Sequence, residues 1–216
     1  MPYATRILKQ LSSLEISAFK KLSTPQKVQD FLDTLPINFE LNGETDMSPR
    51  RVLRQKRAHC VEGALFAAAA LAIHGHKPLL VDFRTTGDDE DHVVAVFKIN
   101  GLWGAISKTN HAILRYRDPV YRSIRELAMS YAHEYFKWNG TKSLVDYSAP
   151  FDLRRYPPKR WVTAEDELDW LVEDLDSSRH YPIGSKKNMR KLRRASQIEI
   201  AAMKIVEWKQ NGRRAI

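Results

Sequence analysis

The sequence has only one cysteine, Cys60, among its 216 residues. An internal disulfide is therefore excluded, and so is a structural zinc site built on several cysteines. No run of roughly 18 or more apolar residues occurs, which excludes an ordinary membrane-spanning helix. The first residues also lack the basic-then-apolar pattern of a signal peptide. With the unpaired cysteine, these absences predict a cytoplasmic protein without a membrane partner.

Charge is spread very unevenly along the chain. The net charge is +9, and residues 179–216 carry 11 Lys and Arg against only Glu199 and Glu207. The first 178 residues are balanced, and 43% of the whole chain is hydrophobic, enough for a sizeable core. The sequence predicts one domain over residues 1–178, with its core at about 48–138, and a basic helical extension over 179–216.

The alanine-rich stretch 60–74 is predicted to be the central helix of the domain. Residues 60–74 are almost wholly apolar and end before Gly75, a pattern typical of a buried helix and its C-terminal stop. Strand-like runs follow at 78–84, 92–99 and 102–107, with Asn100-Gly101 as a type I′ hairpin signal. Because a helix and an antiparallel sheet bury each other's apolar faces, the predicted class is α+β.

Further elements are predicted around this centre from periodicity and from capping residues. Helices are expected at about 5–22, 24–34, 49–57, 120–138, 163–175 and 188–210, and a short strand at 151–153.

The position of Cys60 makes it a candidate nucleophile. Unpaired N–H groups at a helix start stabilise a thiolate, although many free cysteines are simply small buried hydrophobic residues. His92, at the start of a strand, is the best candidate base. The base needs a third group to orient it, and both Ser107 and Asn110 are expected near the same end of the sheet.

These residues carry a resemblance to a known family. The cysteine that opens an Ala-rich helix, the Asp91-His92 strand start, the Asn100-Gly101 turn and a return strand bearing Trp103 resemble the transglutaminase-like core, in the form of a stand-alone bacterial domain. That core belongs to the papain-like superfamily of cysteine enzymes. The resemblance covers residues 59–110, about a quarter of the chain, and implies an α+β fold in which a central helix packs on a small antiparallel sheet.

The resemblance also implies roles for individual residues. Cys60 corresponds to the nucleophile and His92 to the general base, and Ser107 occupies the position of the family's acid. Since serine carries no charge, Asn110 is the alternative orienting residue, as asparagine is in papain-like enzymes. The backbone N–H of Cys60 and the side chain of Gln55 are the candidates for the oxyanion hole.

Two functions are left open by these residues. The first is a cysteine protease, amidase or transglutaminase-like acyltransferase that acts on a protein or peptide amide through a thioester, with no cofactor. The second is a degenerate domain that serves as a binding module. In that case the basic run 186–194 is expected to contact nucleic acid or an acidic protein. The acidic run 88–91 lacks the spacing of a calcium loop and is expected to be a solvated loop.

Overall fold

A mixed α+β architecture is seen in the computed structural model, which describes residues 1–216. Ten α-helices surround one open antiparallel sheet of seven strands, so the predicted α+β class is confirmed. The helices are α1 Tyr3–Leu8, α2 Ser13–Lys21, α3 Pro25–Thr34, α4 Pro49–Gln55, α5 Cys60–Ile73, α6 Ile124–Ala132, α7 Pro158–Trp161, α8 Asp169–Asp176, α9 Lys186–Met189 and α10 Gln197–Met203. The strands are β1 Leu79–Thr85, β2 His92–Ile99, β3 Leu102–Ile106, β4 Arg117–Tyr121, β5 Leu144–Ser148, β6 Phe151–Asp152 and β7 His180–Pro182. None of the helices combines the length and apolar character that a bilayer span requires.

Helix α5 is the centre of the larger core, as the sequence predicts. It begins at Cys60 with His59 as its N-cap, and Gly75 follows its end with a positive φ of 89°. Every residue from Ala64 to Ala72 is buried. The small alanine side chains let the N-terminal helices and strand β2 approach α5 closely, which places its first residue at a fixed position beside the sheet.

The hairpin of β2 and β3 positions the residues that follow both strands. Asn100 and Gly101 have φ values of 49° and 85°, as a type I′ turn requires, so this prediction is confirmed. The full strand order is β4-β3-β2-β1-β5-β7, with β6 also paired to β1. His92 starts β2 opposite Phe83, and Ser107 directly follows β3, so both lie at the same end of the sheet.

Three of the predicted helices begin or divide at residues other than those expected. The helix expected at 5–22 is two helices, because Ser12 and Glu15 form a capping box that starts α2. The helix expected at 120–138 begins only at Ile124 behind the N-cap Ser123, because residues 117–121 pair with β3 as strand β4. The helix expected from residue 163 begins at Asp169.

The predicted single helix over 188–210 is also wrong. Residues 186–189 and 197–203 are helical, and the capping box of Ser196 and Glu199 starts the second helix afresh. The segment 204–208 then turns away from helical geometry and lies along residues 110–112, with Val206 bridged to His111. Residues 179–216 therefore supply a sheet strand, β7, and the partner of a loop, and do not form one amphipathic helix.

Candidate active site

A cavity of about 670 Å³ opens beside the N-terminus of α5. Cys60 and His92 both line it, although they lie on different elements. Its apolar wall includes Phe39, Ile113, Phe136 and Trp138, and its acidic side includes Glu40, Glu134 and the run 88–91. A mixed wall of this size fits a ligand that has both apolar and polar groups.

Cys60 is half-buried in this cavity and is the first residue of α5. Its backbone N–H has no partner within the helix, because the first four N–H groups of any helix lack one. Burial by itself raises the pKa of the thiol, but hydrogen bonds and positive charge from His59 and His92 outweigh it. The pKa of Cys60 is therefore held well below its ordinary value. The geometry favours a thiolate that faces the cavity.

The orientation of His92 is set by a buried serine. Nε2 of His92 lies 2.8 Å from Oγ of Ser107, and that hydroxyl donates to the carbonyl oxygen of Leu114 at 2.5 Å. A serine hydroxyl has one proton, so Ser107 can only accept from His92. Nε2 of His92 therefore carries a proton, and Nδ1 is left for the thiol of Cys60.

The main chain of Ser107 is fixed by a buried amide on α3. Nε2 of Gln29 donates to the Ser107 carbonyl at 2.9 Å, and the Ser107 N–H donates to Oε1 of Gln29 at 3.0 Å. Both residues are buried. This reciprocal pair stops the residue after β3 from shifting, and so holds the hydroxyl that orients His92.

Lys108 anchors the next position in a similar way. Its ammonium group donates to the carbonyl oxygens of Leu32 and Leu35 at the end of α3, at 2.9 and 2.5 Å. Burial lowers the pKa of Lys108 to about 8. The side chain passes α5 so closely that a Cβ built on Gly63 would overlap Cβ of Lys108. Glycine at position 63 therefore permits the contact between α5 and the segment after β3.

His59 is a second histidine beside the thiol. Its Nε2 donates to the carbonyl oxygen of Thr45 at 2.6 Å, since a carbonyl can only accept. Burial lowers its pKa, but Cys60, the carboxylate of Glu62 and the Thr45 carbonyl outweigh burial and raise the pKa to about 10. Cys60 is therefore flanked by one imidazole on its own helix start and another on β2.

The carboxylate of Glu62 holds the backbone of His59 in place. The side chain of Glu62 is fully buried and accepts hydrogen bonds from the His59 N–H at 2.9 Å, the Met47 N–H at 3.2 Å, the Thr45 hydroxyl at 2.9 Å and the Asn38 amide at 3.1 Å. A buried carboxylate with four donors is well satisfied. The network ties the chain before α4 to the first turn of α5 and sets the position of Cys60.

The structure brings three of the five candidate residues together. Cys60, His92 and Ser107 form one connected group. Asn110 does not orient His92, because its amide donates to the Trp208 carbonyl at 3.0 Å and accepts from the Trp208 N–H at 2.8 Å. Gln55 is exposed at the end of α4, where it accepts from Arg57, and it does not line the cavity.

The acidic run 88–91 lies at the cavity rim. Asp88 pairs with Lys137, and Oδ1 of Asp91 accepts from the Thr85 N–H at 2.7 Å and from its hydroxyl at 3.0 Å. No group of three His, Cys, Asp or Glu side chains in the protein has an arrangement suited to a metal ion. Asp91 therefore closes the β1–β2 loop and fixes where His92 enters the sheet.

Three residues of the site are absent from the sequence-based prediction. His59 and Glu62 could have been found from the pattern His-Cys-x-Glu at a helix start, because an N-cap residue followed three positions later by Glu is a capping box. No sequence pattern pointed to Lys108, since nothing in the sequence indicates that a lysine beside a strand end is fully buried.

The chain matches no protein-family model, and no curated protein is significantly similar to it.

Proposed function

We propose that the protein is a cysteine enzyme of the transglutaminase-like class that cleaves or transfers an amide through a thioester at Cys60. The observation that carries this proposal is the chain of hydrogen bonds from Leu114 through Ser107 to His92. It fixes the tautomer and leaves Nδ1 as the ring nitrogen of His92 that can accept the thiol proton. A structural histidine needs no such arrangement beside a half-buried cysteine on a cavity wall.

The reaction follows from these positions. The thiol proton of Cys60 moves to Nδ1 of His92, and the thiolate attacks the carbonyl carbon of a peptide or side-chain amide. The C–N bond then breaks as His92 gives that proton to the departing amine, which leaves a thioester on Cys60. Water or a second amine attacks the thioester, its proton passes to His92, and the C–S bond breaks to restore the thiolate. The free N–H of Cys60 is a donor for the oxyanion in both steps.

The test uses an activated ester, because its acyl group reaches the thiolate without any need to know the natural substrate. With p-nitrophenyl acetate, the wild type is expected to release about one equivalent of p-nitrophenol in a burst and to carry an acetyl group on Cys60 by peptide mass spectrometry. His92→Ala tests the proton transfer, and its steady-state turnover of a glutamine peptide should fall about 100-fold or more. An equal burst from Cys60→Ala, or acetylation of other residues only, would overturn the proposal.

A second function, a non-catalytic binding module, is supported by the basic segment 186–194. All six of its Lys and Arg side chains are exposed, and none pairs with an acidic residue: Lys186, Lys187, Arg190, Lys191, Arg193 and Arg194. Six free cations within nine residues attract polyanions.

The basic segment can be tested by retention on two polyanions, a single-stranded oligonucleotide and polyglutamate. Replacing the six basic residues by Gln should abolish retention, and the salt dependence should weaken with each charge removed. A matched control replaces the exposed Lys9, Lys20 and Lys21 near the N-terminus. Unchanged retention of the six-residue variant removes this function, and retention on polyglutamate as strong as on the oligonucleotide assigns it to acidic partners in general.

A further inference from the structure

Three carboxylates face the ring of His59 from separate parts of the chain. Nε2 of His59 lies 3.5 Å from Glu62 on α5, and 3.8 and 4.0 Å from Glu40 and Asp46 in the segment before α4. Glu167, before α8, adds a further negative charge near the ring. The side chain of His59 is only 15% exposed, so these charges act through protein and not through bulk water. Such surroundings favour an imidazolium.

The other ring nitrogen of His59, Nδ1, lies at the start of α5, next to Cys60 in the chain. The Val61 N–H approaches Nδ1 at 3.3 Å, longer than the usual range for such a bond, and this contact suits only a neutral ring. In the protonated ring, Nδ1–H is a donor, and the neighbouring thiolate of Cys60 is the acceptor that can receive it. The neutral ring would cap the helix, whereas the charged ring stabilises the thiolate.

We propose that His59 is a positioning residue that stays an imidazolium through the reaction and holds Cys60 as a thiolate when His92 is neutral. The inference rests on the proposed function. In the thioester intermediate, His92 has given its proton to the departing amine and must accept one from water. The charge on His59 then makes the thiolate a better leaving group as the C–S bond breaks, and His59 itself neither gains nor loses a proton.

The different roles of His59, which stabilises the thiolate, and His92, which transfers the proton, have a measurable consequence. Alkylation needs only the thiolate, whereas amide cleavage also needs the proton carried by His92. The two reactions therefore separate the role of His59 from that of His92.

The charge around His59 itself depends on pH. Burial raises the pKa of Asp46 to about 7, so one of the three carboxylates facing His59 changes charge near neutrality. Glu62 and Glu40 are the other carboxylates within 4 Å of the ring, and the charges of Glu167 and Cys60 also act on it.

The test compares iodoacetamide alkylation of Cys60 in His59→Gln and His92→Gln across pH. Glutamine at position 59 can still donate to the Thr45 carbonyl but carries no charge. His59→Gln is expected to alkylate about tenfold or more slowly near neutral pH, and its profile should move to higher pH. His92→Gln should retain rapid alkylation and lose turnover of the glutamine peptide. An unchanged profile in His59→Gln, or loss of alkylation in His92→Gln, overturns the proposal.

A measurement on the wild type covers the case in which His59→Gln fails to fold. Nitrogen-15 spectra of the histidine rings at about pH 8, above the ordinary pKa of histidine, should show His59 with both nitrogens protonated. A single protonated nitrogen on His59 overturns the inference and leaves the proposed function standing. If the spectra show the imidazolium but Cys60 forms no acetyl adduct, the proposed function fails. The inference that His59 is an imidazolium beside the Cys60 thiolate then still stands.

Discussion

The hydroxyl of Ser107 donates its only proton to the carbonyl oxygen of Leu114, 2.5 Å away. The same oxygen must therefore accept from His92, which lies at 2.8 Å. An uncharged serine can orient an imidazole in this way because its own donor is occupied. The orienting group in this site is therefore an uncharged hydroxyl whose donor direction is fixed, and a positive charge on the imidazole has no direct carboxylate partner.

Ser107→Ala should lower turnover of the amide substrate and leave the fold intact. The change removes the acceptor for the Nε2–H of His92, so the imidazole loses its fixed tautomer. We expect kcat/KM to fall about 10- to 100-fold, part of the contribution of general acid–base catalysis. Asn110→Ala is the matched control, because it breaks two bonds to Trp208 and none to His92. Equal losses of activity in the two variants would contradict this assignment.

Gly63→Ala should damage the site from the opposite side of α5. A Cβ at this position overlaps Cβ of Lys108, so the segment after β3 must move away from the helix. We expect a loss of about 1–3 kcal/mol in the free energy of unfolding, measured by urea denaturation, with reduced activity. Ala64→Gly, one residue further along α5, is the control for helix propensity. If Gly63→Ala is as stable as the wild type, the close approach is not required.

Glu62→Gln should destabilise the protein, because a carboxylate with four donors becomes an amide that must turn a donor toward other donors. We expect the free energy of unfolding to fall by about 3 kcal/mol. Alkylation of Cys60 should also slow, since one charge facing His59 is lost. Glu165→Gln, at an exposed salt bridge with Arg54, is the control and should leave the free energy of unfolding almost unchanged. Similar effects of the two substitutions would argue against the buried network.

The pair of Cys60 and His59 predicts a flat region in the dependence of stability on pH. Their ordinary pKa values are 9.0 and 6.5, and between these the unfolded pair holds one proton, on the thiol. The folded pair also holds one, on the imidazole, so this pair adds no slope in that range. Below pH 6.5 the unfolded pair binds a second proton that the folded pair resists, so stability falls as pH falls. Between pH 9.0 and about 10 the folded pair keeps a proton that the unfolded pair has lost, so stability falls as pH rises.

Urea unfolding of the wild type and of the double variant Cys60→Ala/His59→Gln measures this effect. The difference in unfolding free energy between them should be constant from pH 6.5 to 9.0 and should decrease on both sides. The subtraction removes the contributions of titrating groups remote from the pair, such as Lys108. A difference that slopes steadily between these pH values would mean that the folded pair does not hold one proton. It would then hold none, as a thiolate beside a neutral imidazole, or two, as a thiol beside an imidazolium.

The sequence predicted the parts of the site that depend on local rules. The helix start at Cys60 and the Asn100-Gly101 turn follow from capping and turn geometry, and the hairpin register then places Ser107 beside the end that bears His92. Asn110 lies beyond β3, where register no longer applies. Its amide is taken by Trp208, 98 positions later in the chain, and no local pattern indicates that pairing. The helix expected at 188–210 failed for the same reason, since its last residues pair with the segment after Ser107.

That pairing also affects how the protein is made. Residues 203–208 form part of the boundary of the loop at 110–112, and Met203 lines the cavity together with His111. A ribosome must add nearly a hundred residues after Asn110 before Trp208 is available to it. Cys60, His92 and Ser107 can therefore meet during synthesis while one side of the cavity is still open. The side of the cavity that Met203 lines is complete only after this late segment has folded back.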